Sequence, residues 1–213
     1  YDNISELKTS MKMKKIIDNY MEKITIYPEK ILIENIEIIS SNELKKIIEE
    51  INKKTYKTIK QKQERIQILL DKYITENKQR IINKLIDENI NNKILQDFKK
   101  NHNKFIKMNI PKIKTVKEYY KIILAENKIE QKEYEIEDIP SLLYIKYNLG
   151  TDIFDNYKHI VIDEAQDYGE FLFYVIKKIF KIRNIIHIYP HCYKHLVLLN
   201  NAINTEVCYM QKL

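Results

Sequence analysis

The stretch from residue 157 to residue 180 constrains the fold of this chain more than any other. It opens with an apolar run, His159–Ile162, that predicts a short, fully buried strand. Four polar residues then fall within five positions: Asp163, Glu164, Gln166 and Asp167. Beyond them, apolar residues recur every three or four positions, as on a helix: Phe171, Leu172, Val175, Ile176, Ile179 and Phe180. A buried strand followed by carboxylates and a helix is the layout of a ligand site in an open α/β sheet.

The carboxylates after the predicted strand suit a nucleoside triphosphate site. Such a site needs one carboxylate near Mg²⁺ and a second acceptor that orients or deprotonates the attacking water. Asp163 suits the metal, usually through water, because Mg²⁺ keeps several of its own waters. Glu164, one residue on, suits the base. The alternative is an acidic strand-to-helix turn in which Asp167 is the N-cap of the helix.

The glycine content limits which kind of nucleotide site the chain can hold. Only Gly150 and Gly169 occur, so no glycine-rich phosphate loop can be present. With 44% hydrophobic and 31% charged residues, the composition is that of a globular protein, and no apolar run approaches a membrane span. The N-terminal residues lack the apolar core of a signal peptide, and the two cysteines form no disulfide framework. We therefore expect a cytoplasmic protein without a membrane partner.

The net charge of +7 is unevenly distributed along the chain. Residues 44–121 carry 21 basic and 9 acidic side chains, for a net charge of +12. Residues 1–43 carry −2, residues 122–150 carry −3, and residues 151–213 are balanced. The central basic segment is able to contact nucleic-acid phosphates through a salt-sensitive attraction. The alternative is a set of solvated, lysine-rich helical faces.

The pattern along the chain predicts a mainly α protein with a small α/β portion. Residues 4–24 read as one helix, residues 31–39 as a two-strand ribbon, and Ser40 as a helix N-cap. Residues 55–91 form one long amphipathic helix, or two with a joint near residues 76–78, that packs within the domain or forms a coiled coil. We expect residues 1–136 to be a basic helical domain and residues 137–213 an α/β segment.

The string His159-Ile-Val-Ile-Asp-Glu-Ala-Gln-Asp167 closely resembles motif II, the Walker B segment, of UvrD/Rep-type superfamily 1 DNA helicases. The flanking residues 154–157 and 168–171 are similar to the same region in the helicase IV (HelD-like) branch, and so is the preceding segment 137–144. Residues 10–20 are similar in texture to the start of the helical insertion of these proteins. The specific resemblance covers residues 137–173.

The resemblance implies a fold, an activity and roles for individual residues. Residues 1–136 would be the accessory (1B-like) domain inserted into the first motor domain, and residues 137–213 part of that RecA-like P-loop NTPase domain. Asp163 would hold Mg²⁺, Glu164 would activate water, and Gln166 would sense the nucleotide and link its state to movement on DNA. The basic segment 44–121 would then border the DNA. ATP and Mg²⁺ would be the cofactors of the parent helicase.

Several parts of such a helicase are missing from this chain. The phosphate loop G-x-x-x-x-G-K-[ST] is absent, as are the motifs of the second motor domain. After a second predicted strand near residues 185–188, the family's Gly-Asp and following Gln are replaced by Tyr189-Pro190-His191. We therefore expect either a partial piece of a helicase or a degenerate relative, which does not hydrolyse ATP alone and binds no cofactor tightly.

Other interpretations stay open at the level of sequence. The chain is alternatively an ATPase-inactive nucleic-acid-binding module, or a helical protein-interaction domain built on residues 55–91. The tail also holds His187, His191, Cys192 and His195. His191 and His195 would share one face of a helix, a spacing able to bind Zn²⁺, but the cluster lacks the paired spacing of a structural zinc finger.

Overall fold

The helical patterns of the sequence become helices in the computed structural model, which describes residues 2–53, 55–131, 133–150, 159–162, 165–179, 184–187 and 207–210. Within these ranges the protein is mainly α-helical, as predicted, with a small ribbon and a three-stranded sheet. The chain divides into two units. Unit 1 comprises residues 1–23 and 115–213, and unit 2 comprises residues 24–114. The sequence-based boundary between residues 136 and 137 falls inside unit 1, and its functional meaning stays a prediction.

Unit 1 begins with two helices, α1 (Asp2–Thr9) and α2 (Met11–Lys23), where the sequence predicted one. The chain breaks at Ser10 because its hydroxyl competes with the helix backbone. Ser10 Oγ donates a hydrogen bond to Leu7 O at 2.9 Å and accepts one from Lys12 N at 3.2 Å. A serine that caps a new helix in this way ends the preceding one, which apolar periodicity alone does not reveal.

Unit 2 opens with the predicted ribbon, formed by β1 (Ile31–Ile33) and β2 (Ile36–Ile39). The strands are antiparallel, with Ile33 opposite Ile36. Glu34 lies in the turn between them with φ 53°, a left-handed backbone conformation typical of tight turns. The ribbon predicted for residues 31–39 is therefore confirmed.

Five helices complete the described part of unit 2, and two of the sequence signals at their ends are confirmed. Ser40 caps the first helix in a reciprocal capping box with Glu43. The long amphipathic segment is two helices with Asn77 at the joint, and Asn89 turns the next corner with φ 54°. The helices are α3 (Ser41–Asn52), α4 (Ile59–Glu76), α5 (Lys78–Asp87), α6 (Asn92–Lys100) and α7 (Asn103–Asn109).

The core of unit 2 is apolar and continuous. It joins the ribbon to the inner faces of the helices, and its members are Ile26, Ile31, Ile33, Ile38, Ile39, Leu44, Ile51, Ile66, Leu69, Leu70, Ile74, Ile81, Ile82, Leu85, Ile90, Leu95, Phe98, Phe105, Ile106 and Ile110. The apolar stripe predicted on residues 55–91 therefore packs into the core of unit 2. On α4 and α5, only Ile68 and Ile86 are large apolar side chains that stay exposed.

The second part of unit 1 begins with α8 (Val116–Glu126), which Thr115 and Glu118 cap in a second capping box. A 3₁₀ turn at Ile136–Asp138 leads into α9 (Ile139–Leu149), and Gly150 ends that helix with φ 81°. A glycine adopts this left-handed conformation without steric cost, so its place at the helix end is explained.

The remaining elements of unit 1 form a small parallel sheet and a helix. They are β3 (His159–Ile162), a 3₁₀ turn (Ala165–Asp167), α10 (Glu170–Ile179), β4 (Asn184–His187) and β5 (Val207–Met210). The strand order is β4-β3-β5, and β3 pairs in parallel with both neighbours. The predicted strand 159–162 is therefore the central strand of this sheet.

Candidate functional site

The candidate nucleotide site lies at the carboxyl end of β3. Ile162, the last residue of the strand, pairs with His187 on one side and Met210 on the other, so the three strands end together. Ligands of open parallel sheets bind beyond this edge. Ile162 and Ala165, the described residues on either side of the carboxylates, are 0% and 3% exposed. The carboxylates themselves, Asp163 and Glu164, lie outside the described residues.

The other two candidate residues belong to the turn that follows. Gln166 and Asp167 are in the 3₁₀ turn Ala165–Asp167, and Asp167 is exposed. Helix α10 begins at Glu170, three residues after Asp167. Gly169 directly precedes α10, and the alternative in which Asp167 caps this helix stays a prediction.

The corner between α1 and α2 is packed directly against the start of α10. A Cβ atom on Gly169 would lie 2.5 Å from both the Cβ and the backbone oxygen of Thr9, so only glycine fits at this position. One residue later, Glu170 Oε1 accepts a hydrogen bond from Met11 N at 3.1 Å, which satisfies a backbone donor in the first turn of α2. The N-terminal corner thus holds the helix that follows the candidate site.

The apolar face of α10 fixes the helix to the rest of unit 1. Phe171, Leu172, Val175, Ile176 and Ile179 are all buried, as the sequence predicts. The ring of Tyr144 on α9 meets Phe171 and Tyr174 edge to face, at centroid distances of 5.6 and 5.9 Å. Such pairs add about 0.5–1.5 kcal/mol each beyond their burial.

The hydroxyl of Tyr144 links this aromatic cluster to α2. It donates a hydrogen bond to Asp18 Oδ1 at 2.7 Å, and the same carboxylate forms an ion pair with Lys14. Burial, together with the hydrogen bond to Asp18, raises the pKa of Tyr144, so its proton stays in place as a donor. The Lys14 ammonium also lies 5.1 Å from the centroid of the Tyr174 ring.

A buried charged cluster lies at the start of α9. Lys8 is 1% exposed, and its Nζ is 2.9 Å from Glu135 Oε2 and 3.0 Å from Asp138 Oδ1. Asp138 is fully buried and also accepts hydrogen bonds from Tyr120 Oη at 2.5 Å, from Glu135 N at 2.8 Å, and from the Gln131 side-chain amide. The buried carboxylate therefore has a partner for each of its lone-pair directions.

The electrostatics of this cluster favour the charged lysine and the neutral tyrosine. Burial alone would lower the pKa of Lys8, but the hydrogen bonds and negative charges of Glu135 and Asp138 outweigh it and raise the pKa. Burial and the hydrogen bond to Asp138 raise the pKa of Tyr120. Both groups stay protonated at neutral pH, so the cluster is a fixed structural clamp between α1 and α9 rather than a proton relay.

The basic segment of the sequence is divided between the two units. Residues 44–114 lie in unit 2 and residues 115–121 in unit 1. Counted by unit, the whole of unit 2 carries 20 basic and 12 acidic residues, a net charge of +8, and unit 1 carries −1. The positive excess is therefore a property of unit 2.

Metal clusters and membrane-spanning helices are both absent from the described ranges. There, no group of three or more His, Cys, Asp and Glu residues is placed to hold a metal ion, and no helix is long and apolar enough to cross a membrane. His191, Cys192 and His195 lie outside the described residues, and only the strand backbone of His187 is described.

Sequence reasoning missed the residues that hold the N-terminal helices in place. Lys8, Asp138 and Gly169 were not singled out for these contacts. The sequence around Asp138 is acidic, but the partner of these acidic residues, Lys8, lies 127 residues before Glu135 in the chain. Residue spacing gives no signal over that distance. The scarcity of glycine was the one available clue to Gly169.

No protein-family model, curated protein or solved structure matches the chain.

Proposed function

We propose that this chain is part of an ATP-dependent DNA helicase of superfamily 1, in the HelD-like branch. It would comprise the helical insertion and the motif II half of the first RecA-like motor domain. The observation that carries the proposal is the string from His159 to Asp167. Its apolar half is the central strand of a parallel sheet, and its polar half leads through a turn into α10.

The position of the string supports a nucleotide site for physical reasons. The strand that precedes the carboxylates in the sequence is flanked on both sides, and its carboxyl end lies at the sheet edge where phosphates and metals bind in open α/β proteins. Carboxylate oxygens are hard donors of the type that Mg²⁺ prefers, so the residues present fit this ion. In a loaded site Mg²⁺ would offset the charge of the phosphates.

Each polar residue of the string has a role in this proposal. Asp163 would hold Mg²⁺ through water, and Glu164 would take a proton from the attacking water. Gln166, in the 3₁₀ turn, would report the state of the nucleotide to the rest of the motor. The α1–α2 corner, which packs against Gly169, would keep the turn and α10 in place while the nucleotide is bound and hydrolysed. The phosphate-binding half of the site has to come from elsewhere in the parent, since the chain has no glycine loop.

The proposal is tested in two steps, of which the first is to extend the coding sequence upstream of Tyr1. A phosphate-loop motif within a few hundred residues is expected, and its absence would remove the active-helicase proposal. In that parent protein, Glu164→Gln should then lower ATP turnover by about 100-fold or more while ATP binding is kept.

The matched control is Glu133→Gln, which makes the same charge change at an exposed position of unit 1. This variant should turn over ATP as the parent does. Turnover within a few-fold of the parent in Glu164→Gln would show that Glu164 is not the base.

A second candidate function is a nucleic-acid-binding module without ATPase activity. The +8 charge of unit 2 favours it, and it differs from the first proposal in needing no phosphate loop. A self-associating helical module has less support, because the apolar stripe of α4 and α5 is buried in the core of unit 2.

A further inference from the structure

A groove in unit 2 concentrates positive charge beside the end of α7. It has a volume of about 820 Å³, and nine residues line it, among them Lys104, Lys107, Met108, Asn109, Pro111 and Lys112. Three of these nine residues are lysines and none is acidic. The groove is thus a concave surface of one sign of charge, which focuses the local potential and favours an anionic ligand.

Asn109, one of the residues that line the groove, fixes the end of α7 through three hydrogen bonds. Its Nδ2 donates to Leu32 O at 2.7 Å and to Phe105 O at 2.9 Å, and its Oδ1 accepts from Leu32 N at 2.8 Å. The side-chain amide thus pairs with both backbone groups of a residue in β1, as a neighbouring strand would. This anchors the C-terminal end of α7 to the ribbon.

The groove is also held by α4. Gln63 Nε2 donates a hydrogen bond to Pro111 O at 2.9 Å, and Ile110 is buried in the core between the two anchors. Pro111 itself has a fixed φ. Because the backbone from 109 to 111 is held at three consecutive residues, the lysines on either side project from a preorganised frame, which lowers the entropy lost on binding.

The lysines of this frame are available to a ligand. Lys104 is 3.6 Å from Asp97, in a pair whose side chains are both about half exposed and therefore weak. Lys107 and Lys112 are exposed and have no ion pair with any residue that the structure describes. Between them Met108 is 71% exposed, which places an apolar side chain among the ammonium groups.

We propose that this groove binds the phosphate backbone of single-stranded nucleic acid, through Lys107 and Lys112 with Lys104 in support. The inference locates the nucleic-acid contact of the proposed function and rests on it for the class of partner. Lysine ammonium groups bind phosphates as point charges, and an acidic peptide, which the same charges would attract, is an alternative outcome of the test.

The binding would be insensitive to base sequence. No aromatic side chain lines the groove, so bases gain no stacking platform, and Met108 offers only a nonspecific apolar contact. Affinity would come from phosphate contacts and would fall steeply with salt. Each neutralised phosphate of a single strand contributes about 0.7 to the slope of log K against log salt concentration.

The test uses the full chain and a fluorescently labelled oligothymidylate, with anisotropy read at several salt concentrations. Lys107→Gln/Lys112→Gln should weaken binding at about 50 mM salt by about 10-fold or more and lower the salt slope by about 1.4. The matched control, Lys45→Gln/Lys46→Gln, removes the same charge from exposed positions of α3, which lines no part of the groove. It should change the affinity by less than about twofold.

Three outcomes would overturn the proposal. An equal loss in both double variants would mean diffuse attraction to the whole unit. Displacement of the oligonucleotide by polyglutamate at the same concentration, with the same dependence on Lys107 and Lys112, would mean an acidic protein partner. No binding by the unaltered chain at low salt would remove the nucleic-acid contact altogether. The ATPase test of Glu164 is unaffected by that result, so the two proposals fail separately.

Discussion

The two units of this protein are stabilised by different interactions. Unit 2 has a purely apolar core, and its main polar network, around Glu43, lies at the surface. Unit 1 buries polar groups: among the described residues, the buried polar and charged side chains are Lys8, Asp138 and Ser141, all in this unit. Apolar packing tolerates small shifts, whereas a buried ion pair fixes one geometry because a broken pair leaves an unpaired charge. The unit with the candidate nucleotide site is therefore the one whose assembly depends on specific polar contacts.

The largest expected effect comes from removing the buried cation of unit 1. Lys8→Met would leave Asp138 buried without its cation and should destabilise unit 1 by about 3 kcal/mol. Hydrogen exchange followed by mass spectrometry would report the two units separately, and unit 2 should keep its protection. Adding Asp138→Asn should recover part of the loss. The control is Lys15→Met, which changes an exposed lysine of the same unit. If Lys8→Met costs no more than this control, below about 1 kcal/mol, the distinction between the units is removed.

The ion pair of Lys8 and Asp138 also predicts how the stability of unit 1 depends on pH. The folded-state pKa of Lys8 is raised above its ordinary value of 10.5. A raised lysine pKa contributes stability that is fully present below the unfolded value and is lost as the pH rises through the folded one. Protection of unit 1 should therefore fall above about pH 10.5 in the unaltered chain more than in Lys8→Met.

A smaller effect is expected where the N-terminal corner meets α10. Gly169→Ala would force Thr9 to move, because the new methyl group would lie 2.5 Å from its backbone oxygen. Overpacking of this kind costs about 1–3 kcal/mol, and exchange should rise first in α1 and α10. Gly150→Asn is the control, since asparagine tolerates the φ of 81° at that position. Equal protection in Gly169→Ala and the unaltered chain would show that the corner is not tightly seated.

The smallest effect concerns the surface network of unit 2. Burial alone would raise the pKa of Glu43, but hydrogen bonds from Tyr73, from Ser40 and from Arg80 lower it to about 2 from its ordinary 4.5. A lowered carboxyl pKa gives stability that is present above about pH 4.5 and is lost as the pH falls toward 2. Because the Glu43 side chain is 30% exposed, solvent screening reduces its contribution to the free energy of unfolding to about 1–2 kcal/mol.

The measurement is acid unfolding of unit 2 in Glu43→Gln. This variant should be less stable at pH 7 and should lose less stability between pH 4.5 and 2 than the unaltered chain. The exposed neighbour Glu49→Gln, on the same helix, should behave like the unaltered chain. If the unaltered chain, Glu43→Gln and Glu49→Gln lose the same stability in acid, other carboxylates cause the acid sensitivity of unit 2.

The sequence predicted local structure well and long-range contacts poorly. The ribbon at 31–39, the cap at Ser40 and the helix joint near residues 76–78 each depend on residues a few positions apart, so spacing reveals them. The break at Ser10 was missed because it depends on the hydrogen bonds of the Ser10 hydroxyl, which apolar periodicity does not reveal. The strand–turn–helix of the candidate site was predictable for the same local reason, while the roles of Asp163, Glu164 and Gln166 stay predictions.

The interruption of unit 1 by unit 2 has a consequence for how the protein is made. Helices α1 and α2 leave the ribosome before unit 2 does, and Lys8 has to wait a further 127 residues for Glu135. At about 5–20 residues per second, that delay is roughly 6–25 s, long compared with the folding of a small helical domain. Unit 2 has all of its chain before then and is expected to fold first. The nascent α1–α2 segment meanwhile exposes Met13 and Ile17, which are buried in the folded protein, so we expect chaperones to bind it during synthesis.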